Sequence, residues 1–306
     1  MLASCAGGDE LVAVHDALTG SLGTPSVLIG QADLASTPIT LDLTSGLLDV
    51  GGRRVRPTVV WARHWGAGAS AAHARPAGPV SSLVAATWSE FIRQLTQSAA
   101  VTLPGTAPVP PEQLADAARL GVPTPRTVLT TDAAAGARQL GSPRVVVKTA
   151  NFRLYEPDRQ AWQACWPRIT DRDAVTAGAG ERGRPVIVQE YVEHVRELRV
   201  YYLNGAICAF AVRKAHPSSP WTDPLSVSVT PVDCPPDAAE VVQTLCAAWQ
   251  LSYGAFDLLV TGAGETVFLE VNQDGDWLWY ERRARWHGVS FLAAAMVGQL
   301  FAQVAA

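Results

Sequence analysis

The chain has 306 residues, of which 48% are hydrophobic and 17% charged, and its formal net charge is −4. These values predict a soluble globular protein with two or three subdomains. They argue against nucleic-acid partners, because the one concentrated basic segment is GGRRVR at residues 51–56, and against a membrane span, because no apolar run approaches the roughly 18 residues that a span needs.

The pattern of the first hundred residues predicts a small α/β unit. In chain order we expect a short helix at 9–23, a buried strand at 25–30, a hairpin at 40–52, a central strand at 58–62 and a helix at 81–100. The stretch from Gly66 to Val80, rich in Ala, Gly, Pro and Ser, is typical of a linker. Four prolines within residues 104–111 mark the boundary to a second unit.

Apolar β-runs that end in polar side chains follow this boundary. VVVK (145–148) ends at Lys148, whose ammonium group suits a phosphate. VIVQEYVE (186–193) is a second run of this kind.

A hairpin is predicted within residues 197–215. Its signal is the pair Asn204-Gly205 between two alternating runs, which is the strongest short-range indication of a hairpin. Its charged residues are Glu197 and Arg199, which share one face of the first strand, and Arg213 and Lys214, at the far end of the second.

A helix with a core-facing stripe precedes the C-terminal strands. Asp237 is expected to cap AAEVVQTLCAAWQL, whose apolar stripe is Val241, Val242, Leu245, Cys246 and Trp249. Among the tryptophans, Trp88 and Trp249 are expected to pack helices. Trp277 and Trp279 would share a face of an extended segment and are candidates for a substrate wall.

Two β-rich runs, 253–261 and 265–272, predict a hairpin around Gly262-Ala263-Gly264. Glu270 and Asn272 are two residues apart and share a face, and Asp257 lies among apolar residues of the partner strand, where an unpaired carboxylate is costly to bury. Such hard oxygen ligands suit Mg²⁺, which also takes ligands from water and substrate phosphates. The alternative is that Glu270 and Asn272 are ordinary solvent-facing residues of an alternating strand.

The order of these motifs, VVVK, QEYVE, ELRV, Asp257 and FLEVN, resembles the ATP-grasp carboxylate–amine/thiol ligase superfamily. FLEVNQDGDWLWYE (268–281) is similar to the FLExNxxGQWLW signature of the ATP-grasp enzymes that macrocyclise ribosomal peptides, the graspetide or microviridin-type maturases. VVWARHW (59–65), WSEF (88–91) and QLADAARLGVPTPRTVLTTD (113–132) resemble earlier segments of the same enzymes, so the resemblance covers residues 25–300. It implies an α/β (α+β) ATP-grasp fold with a pre-ATP-grasp domain at 1–103, a central subdomain at 104–190 and a C-terminal antiparallel-sheet subdomain at 191–306.

The resemblance also implies roles for individual residues. Lys148 would contact the α- and β-phosphates of ATP. Gln189, Glu190 and Val192 would form the adenine hinge through side chains and backbone, and Glu193 or Glu197 would hold the ribose hydroxyls. Arg199 and Arg213 would face the γ-phosphate and the developing acyl phosphate, Lys214 would be a further cation of the nucleotide site, and Asp257, Glu270 and Asn272 would hold Mg²⁺.

Three features depart from the pattern of the superfamily. A lysine that precedes the QLxxA helix by three residues in related enzymes is Pro110 here. The segment after Lys148, residues 149–166, is aromatic and charged instead of glycine-rich, and a dense glycine run comes later, at 177–183. The signature glutamine is Asp276, which together with Asp274 would suit an amine or guanidine nucleophile.

We therefore predict a cytoplasmic ATP-dependent ligase, with ATP and Mg²⁺ as cofactors, that activates a carboxylate as an acyl phosphate and passes it to an amine or hydroxyl. The resemblance implies a leader-containing precursor peptide that receives ω-amide or ω-ester crosslinks, and a homodimeric enzyme. One alternative is a ligase for free amino acids or other small molecules, which Asp274 and Asp276 favour. Another is a non-catalytic ATP-grasp protein that binds a peptide or nucleotide, which Pro110 favours. The odd number of cysteines, five without metal-type spacing, predicts reduced cytosolic thiols.

Overall fold

The computed structural model describes residues 1–4, 9–30, 33–64, 82–150, 167–175, 185–217 and 219–305. Elements are numbered in chain order over these residues. The strands are β1 (Leu2–Ser4), β2 (Leu28–Ile29), β3 (Ile39–Leu41), β4 (Leu48–Val50), β5 (Arg53–Val55), β6 (Val59–Arg63), β7 (Val101–Leu103), β8 (Thr127–Thr130), β9 (Arg144–Thr149), β10 (Arg168–Asp171), β11 (Val186–Glu190), β12 (Arg196–Leu203), β13 (Ala206–Arg213), β14 (Ser228–Val232), β15 (Tyr253–Val260) and β16 (Thr266–Asn272). The helices are α1 (Asp9–Asp16), α2 (Asp33–Ser36), α3 (Ser82–Ser98), α4 (Pro110–Arg119), α5 (Ala133–Leu140), α6 (Ser219–Thr222), α7 (Pro236–Ala248), α8 (Leu278–Ala284) and α9 (Gly288–Ala305).

The N-terminal strands form a parallel sheet in the order β2-β1-β6-β7. Helix α3 packs on one face of this sheet through Ile92 and Leu95, and α1 and α9 pack on the other. The expected central strand at 58–62 is confirmed as β6. The strand expected at 25–30 shrinks to the two residues of the edge strand β2, since Pro25 has no N–H to donate to a ladder. Strand β1, which the sequence did not predict, lies between β2 and β6. The hairpin expected at 40–52 is confirmed by β3 and β4, which pair antiparallel.

The central strands form an antiparallel sheet in the order β10-β9-β11-β8. One face is covered by α5, against which Val145, Val147, Val186 and Val188 pack. Because side chains alternate along a strand, Lys148 lies on the opposite face. Lys148 shares this second face with Val146 and Ile187, which are both buried.

The C-terminal strands form an antiparallel sheet in the order β14-β13-β12-β15-β16. Helix α7 covers one face, where its predicted stripe from Val241 to Trp249 is buried, and α9 with Trp61 of the N-terminal sheet covers part of the other. Both predicted hairpins are confirmed, with Asn204 and Gly205 at φ 48° and 101° in the first turn. The expectation that Asp237 caps α7 is wrong: the helix begins at Pro236, because proline suits the first turn, where no N–H is needed.

The cysteines of the described segments carry free thiols. They are Cys208, Cys234 and Cys246, and burial raises the pKa of the first two to about 11. Cys5 and Cys165 lie outside the described residues. Within those residues no helix is long and apolar enough to cross a bilayer.

Candidate functional site

The predicted metal ligands lie together on the face of the C-terminal sheet opposite α7. Asp257 and Glu270 are direct partners across β15 and β16, and Asn272 Nδ2 donates to Glu270 Oε1 at 3.3 Å. All three side chains are partly exposed, whereas Val271 between them is buried in the α7 core. The expected sharing of a face is confirmed, and the metal role remains a prediction.

A β-bulge accompanies this set. The register of the ladder shifts between Asp257 and Leu258, so that Asp257 pairs with Glu270 while Leu258 pairs with Phe268. Leu269 is the extra residue. Bulges re-aim side chains and are common beside functional sites.

Arg199 on β12 places a permanent positive charge beside the carboxylates. Its side chain is 7% exposed, Nη1 donates to Asp257 Oδ2 at 2.9 Å, and Nε donates to the Tyr201 hydroxyl at 3.3 Å. Burial alone would lower the pKa of Arg199, but the nearby Asp257 charge and the tyrosines raise it well above its ordinary value. The guanidinium also lies 5.2 Å from the ring centroid of Tyr280.

A second charged cluster lies at the start of β12. Glu197 accepts from Lys214 Nζ at 2.8 Å and bonds His194 Nε2 at 3.3 Å, while His194 Nδ1 lies 2.8 Å from the carbonyl oxygen of Val192. Burial raises the pKa of Glu197, but His194 and Lys214 outweigh it and the net direction is downward. The hydrogen bond to Glu197 in turn raises the pKa of His194. His194 was not among the predicted site residues, because a histidine three residues from a glutamate is a common pattern.

The structure separates Arg213 from Arg199. Along β13, Arg213 alternates with Ala209 and Ala211 on the side of α7, while Lys214 follows the alternation of the opposite side. Arg213 is exposed, whereas Lys214 reaches Glu197. The shared role expected for Arg199 and Arg213 is therefore not favoured by the strand geometry, and Lys214 is better placed for it.

The predicted hinge residues are already engaged by the protein. Gln189 Nε2 donates to Thr127 Oγ1 at 3.0 Å, and Glu190 accepts from the backbone N–H of Arg126 at 2.8 Å and from Ser142 Oγ at 3.2 Å. The two side chains therefore already have partners within the protein, and the expected adenine hinge, through backbone and side chains, remains a prediction.

Two other residues that were predicted to bind the nucleotide lie at the central sheet. Glu193 is exposed and pairs with Arg144 at 2.9 Å. Lys148 is partly buried on the face opposite α5, level with Ile187. Residues 151–166, the glycine run at 177–183 and the linker at 66–80 lie outside the described residues. Pro110 is the first residue of α4.

Asp276 and Trp277, in the loop after β16, both have partners within the protein. Asp276 is paired with Arg63 Nη2 and His64 Nε2, each at 3.1 Å, and its expected binding of a nucleophile remains a prediction. Trp277 is fully buried and donates through Nε1 to Ser290 Oγ at 2.9 Å. It is not a substrate wall, because the chain enters α8 instead of continuing extended, and the partly buried Trp279 packs against Tyr280.

The donor set is compatible with Mg²⁺. In the described part of the chain, no group of three or more His, Cys, Asp or Glu residues is arranged to hold a metal ion. Two carboxylates and an amide on one face, with one oxygen of Asp257 committed to Arg199, instead form an open set. Mg²⁺ commonly uses one or two carboxylates and completes its shell with water and phosphate oxygens.

Comparison with known proteins gives structural matches. No family model and no curated protein matches the chain. The ATP-grasp ligase PsnB, solved with a phosphomimetic variant of a minimal precursor, Mg and ADP, is 16% identical with a TM-score of 0.70, and 97% of each chain is covered. The macrocyclase MdnC of Microcystis aeruginosa MRC, solved with precursor peptide MdnA, is 19% identical with a TM-score of 0.71, over 97% of this chain and 99% of that one. The D-cycloserine synthetase DcsG is 17% identical with a TM-score of 0.61, over 97% and 98%. The chain therefore has the fold of the ATP-grasp ligases.

Proposed function

We propose that this protein is an ATP-dependent carboxylate ligase that uses Mg²⁺. The observation that carries the proposal is the buried Arg199, held by Asp257 at 2.9 Å directly beside Glu270 and Asn272. A buried arginine next to an open set of oxygen donors suits a polyanion that arrives with its own cation. Solved neighbours with the same fold contain Mg and ADP.

The charges around the site fit a triphosphate. Arg199 and Lys214 lie on the same side of the C-terminal sheet as the metal candidates, and Lys148 lies on the face of the central sheet opposite α5. In such sites catalysis is mainly positioning and electrostatic stabilisation. We assign Lys148 to the α- and β-phosphates, and Arg199 with Lys214 to the γ-phosphate.

The proposed reaction has two steps. A substrate carboxylate oxygen bonds to the γ-phosphorus while the bond from that phosphorus to the bridging oxygen breaks, which releases ADP and leaves an acyl phosphate. An amine or hydroxyl then bonds to the acyl carbon, phosphate leaves, and the proton of the nucleophile passes to phosphate or water. Bound Mg²⁺ would supply neutralisation of the phosphate charge. Arg199 stabilises the charge of the transferred group, because its guanidinium is fixed before the substrate binds.

The proposed substrate is a ribosomal precursor peptide, which would gain ω-amide or ω-ester crosslinks. PsnB and MdnC, which are solved with precursor peptides, support this choice. A ligase for small molecules is the second candidate, and the likeness to the D-cycloserine synthetase favours it. A neighbouring small gene that encodes a peptide rich in Thr, Lys, Asp and Glu would support the precursor-peptide substrate. That peptide should lose the mass of one water molecule per crosslink when it is incubated with the enzyme and Mg²⁺-ATP.

Calorimetry of nucleotide binding tests the proposal. The wild type should bind ATP and ADP only with Mg²⁺, and Glu270→Gln should lose this binding because one metal-facing oxygen is replaced by a donor amide. Glu265→Gln, an exposed change in the turn of the same hairpin, is the matched control. Nucleotide binding that does not depend on Mg²⁺, or that Glu270→Gln retains, would refute the metal assignment. A wild type that binds no nucleotide would favour a non-catalytic scaffold.

A further inference from the structure

Arg63, the last residue of β6, reaches from the N-terminal sheet into the loop after β16. Its side chain is 1% exposed. The single nitrogen Nη2 donates to the carbonyl oxygens of Asp274 and Gly275 at 2.9 and 3.1 Å and to Asp276 Oδ1 at 3.1 Å. Arg63 thus fixes the backbone of residues 274–276 from a distant part of the sequence.

Aromatic rings hold the Arg63 guanidinium in place. Its Cζ lies 4.6 Å from the ring centroid of Trp277, 5.7 Å from that of Trp61 and 5.8 Å from that of Tyr253. Cations over aromatic faces are stabilised most when they are removed from water, as here. The position of the loop is therefore set by a rigid group.

The same loop lies directly against Arg199. The hydroxyl of Tyr201 donates to the carbonyl oxygen of Asp276 at 2.5 Å and accepts from Arg199 Nε at 3.3 Å. A Cβ added to Gly275 would lie 2.7 Å from Arg199 Nη2, so the guanidinium packs on the loop backbone without space between them. Tyr253 also donates to the carbonyl oxygen of Gly275.

We propose that Arg63 is a positioning residue for Arg199, acting through loop 274–276 and the Tyr201 hydroxyl. The proposal rests on the proposed function, in which Arg199 faces the γ-phosphate. Arg63 itself touches no substrate in this scheme. If Arg63 positions Arg199, a residue of the N-terminal sheet sets how strongly the site around Arg199 prefers a nucleoside triphosphate over a diphosphate.

The test compares the Kd values of Mg²⁺-ATP and Mg²⁺-ADP by calorimetry. Their ratio reports what the γ-phosphate contributes to affinity, and a general loss of stability would not change it. We expect Arg63→Met to lower the ADP/ATP Kd ratio about tenfold with little change in the Kd of ADP, in line with one lost charge-assisted contact. Arg63→Lys, which keeps the charge and one donor to the loop, should recover part of the ratio.

A second variant and a control separate positioning from structural damage. Tyr201→Phe keeps the Arg63 contacts but loses the bond to Arg199, so it should lower the ratio similarly, and the double variant should add little further. Arg283→Met is the control, because Arg283 also ties down loop carbonyls, those of Leu225 and Val227. It should leave the ratio unchanged.

The outcomes are distinct for the two proposals. Suppose that Arg199→Met lowers the ADP/ATP Kd ratio. A wild-type ratio in Arg63→Met or in Tyr201→Phe would then overturn the positioning role alone. A wild type that binds no nucleotide with Mg²⁺ would overturn both proposals. A wild-type ratio of one would overturn the contact of Arg199 with the γ-phosphate, and the positioning role with it.

Discussion

Gly275→Ala is a substitution for which the structure predicts a severe local clash beside Arg199. A Cβ at this position would lie 2.4 Å from the Cβ of Ala255 and 2.7 Å from Arg199 Nη2. Ordinary contacts between carbon atoms are about 3.5–4.0 Å. The loop must therefore move away from β15 by about an ångström, and Ala255 lies in a central part of the sheet that cannot yield.

The expected effect on stability combines two terms. Overpacking of a filled interior costs about 1–3 kcal/mol, and weakening of the hydrogen bonds that Arg63 and Tyr253 donate to Gly275 adds about 1 kcal/mol. We expect a loss of about 3 kcal/mol in the free energy of unfolding. For a chain of this size, that corresponds to a Tm lower by about 5 °C.

Scanning calorimetry of three variants checks this value. Gly20→Ala is the control, because a Cβ at Gly20 meets nothing within 4 Å, and its Tm should stay close to that of the wild type. Ala255→Gly combined with Gly275→Ala should regain part of the lost Tm, since the closest contact is removed. A Gly275→Ala protein as stable as Gly20→Ala would show that the loop does not pack on β15 and Arg199 as described.

Three further changes have defined outcomes. The hydrogen bond with Glu197 raises the pKa of His194. The stabilisation from this bond is therefore fully present below pH 6.5, the unfolded-state pKa, and is lost as the pH rises through the folded-state pKa. Urea unfolding at pH 6 and pH 9 should show this loss of stability in the wild type and a smaller loss in His194→Gln. Gly136→Ala places a Cβ 2.9 Å from Thr130 Cγ2 and should lower the free energy of unfolding by about 1–3 kcal/mol, measured by the same method. Gly205→Ala, at φ 101°, should cost about 1 kcal/mol, and a stability equal to the wild type would contradict the positive φ of that turn.

The hairpins and the face of the candidate metal ligands could be predicted from the sequence, because both follow from local rules. The pair Asn204-Gly205 fixes a turn by its φ angles, and the spacing of Glu270 and Asn272 fixes their common face. Asp257 could be predicted to lie near Glu270 and Asn272, because a hairpin with a short turn places its two strands side by side.

Contacts between distant segments could not be predicted in this way. Arg63 and Asp276 are 213 residues apart, and no local pattern in either segment indicates the other. The same limit explains Trp277, which was expected in a substrate wall of an extended segment and which the fold buries beside Trp61. Arg213 and Lys214 show a different limit: adjacent residues at a strand end project to opposite sides, and motif order alone does not say which one faces the site.

The bulge at Leu269 has a consequence for how this hairpin tolerates changes in length. In a regular strand, removal of one residue inverts the faces of every residue beyond it. Here Phe268 and Val271 both face the α7 core although they are three residues apart, and Asp257 keeps Glu270 as its partner. Loss of Leu269 would restore a regular ladder while Glu270 stays opposite Asp257 and both core residues stay inside. Related sequences could therefore lack a residue at position 269 without a change of fold. An insertion or deletion two positions away would instead turn the metal-facing side chains towards the core and the core side chains towards the metal face.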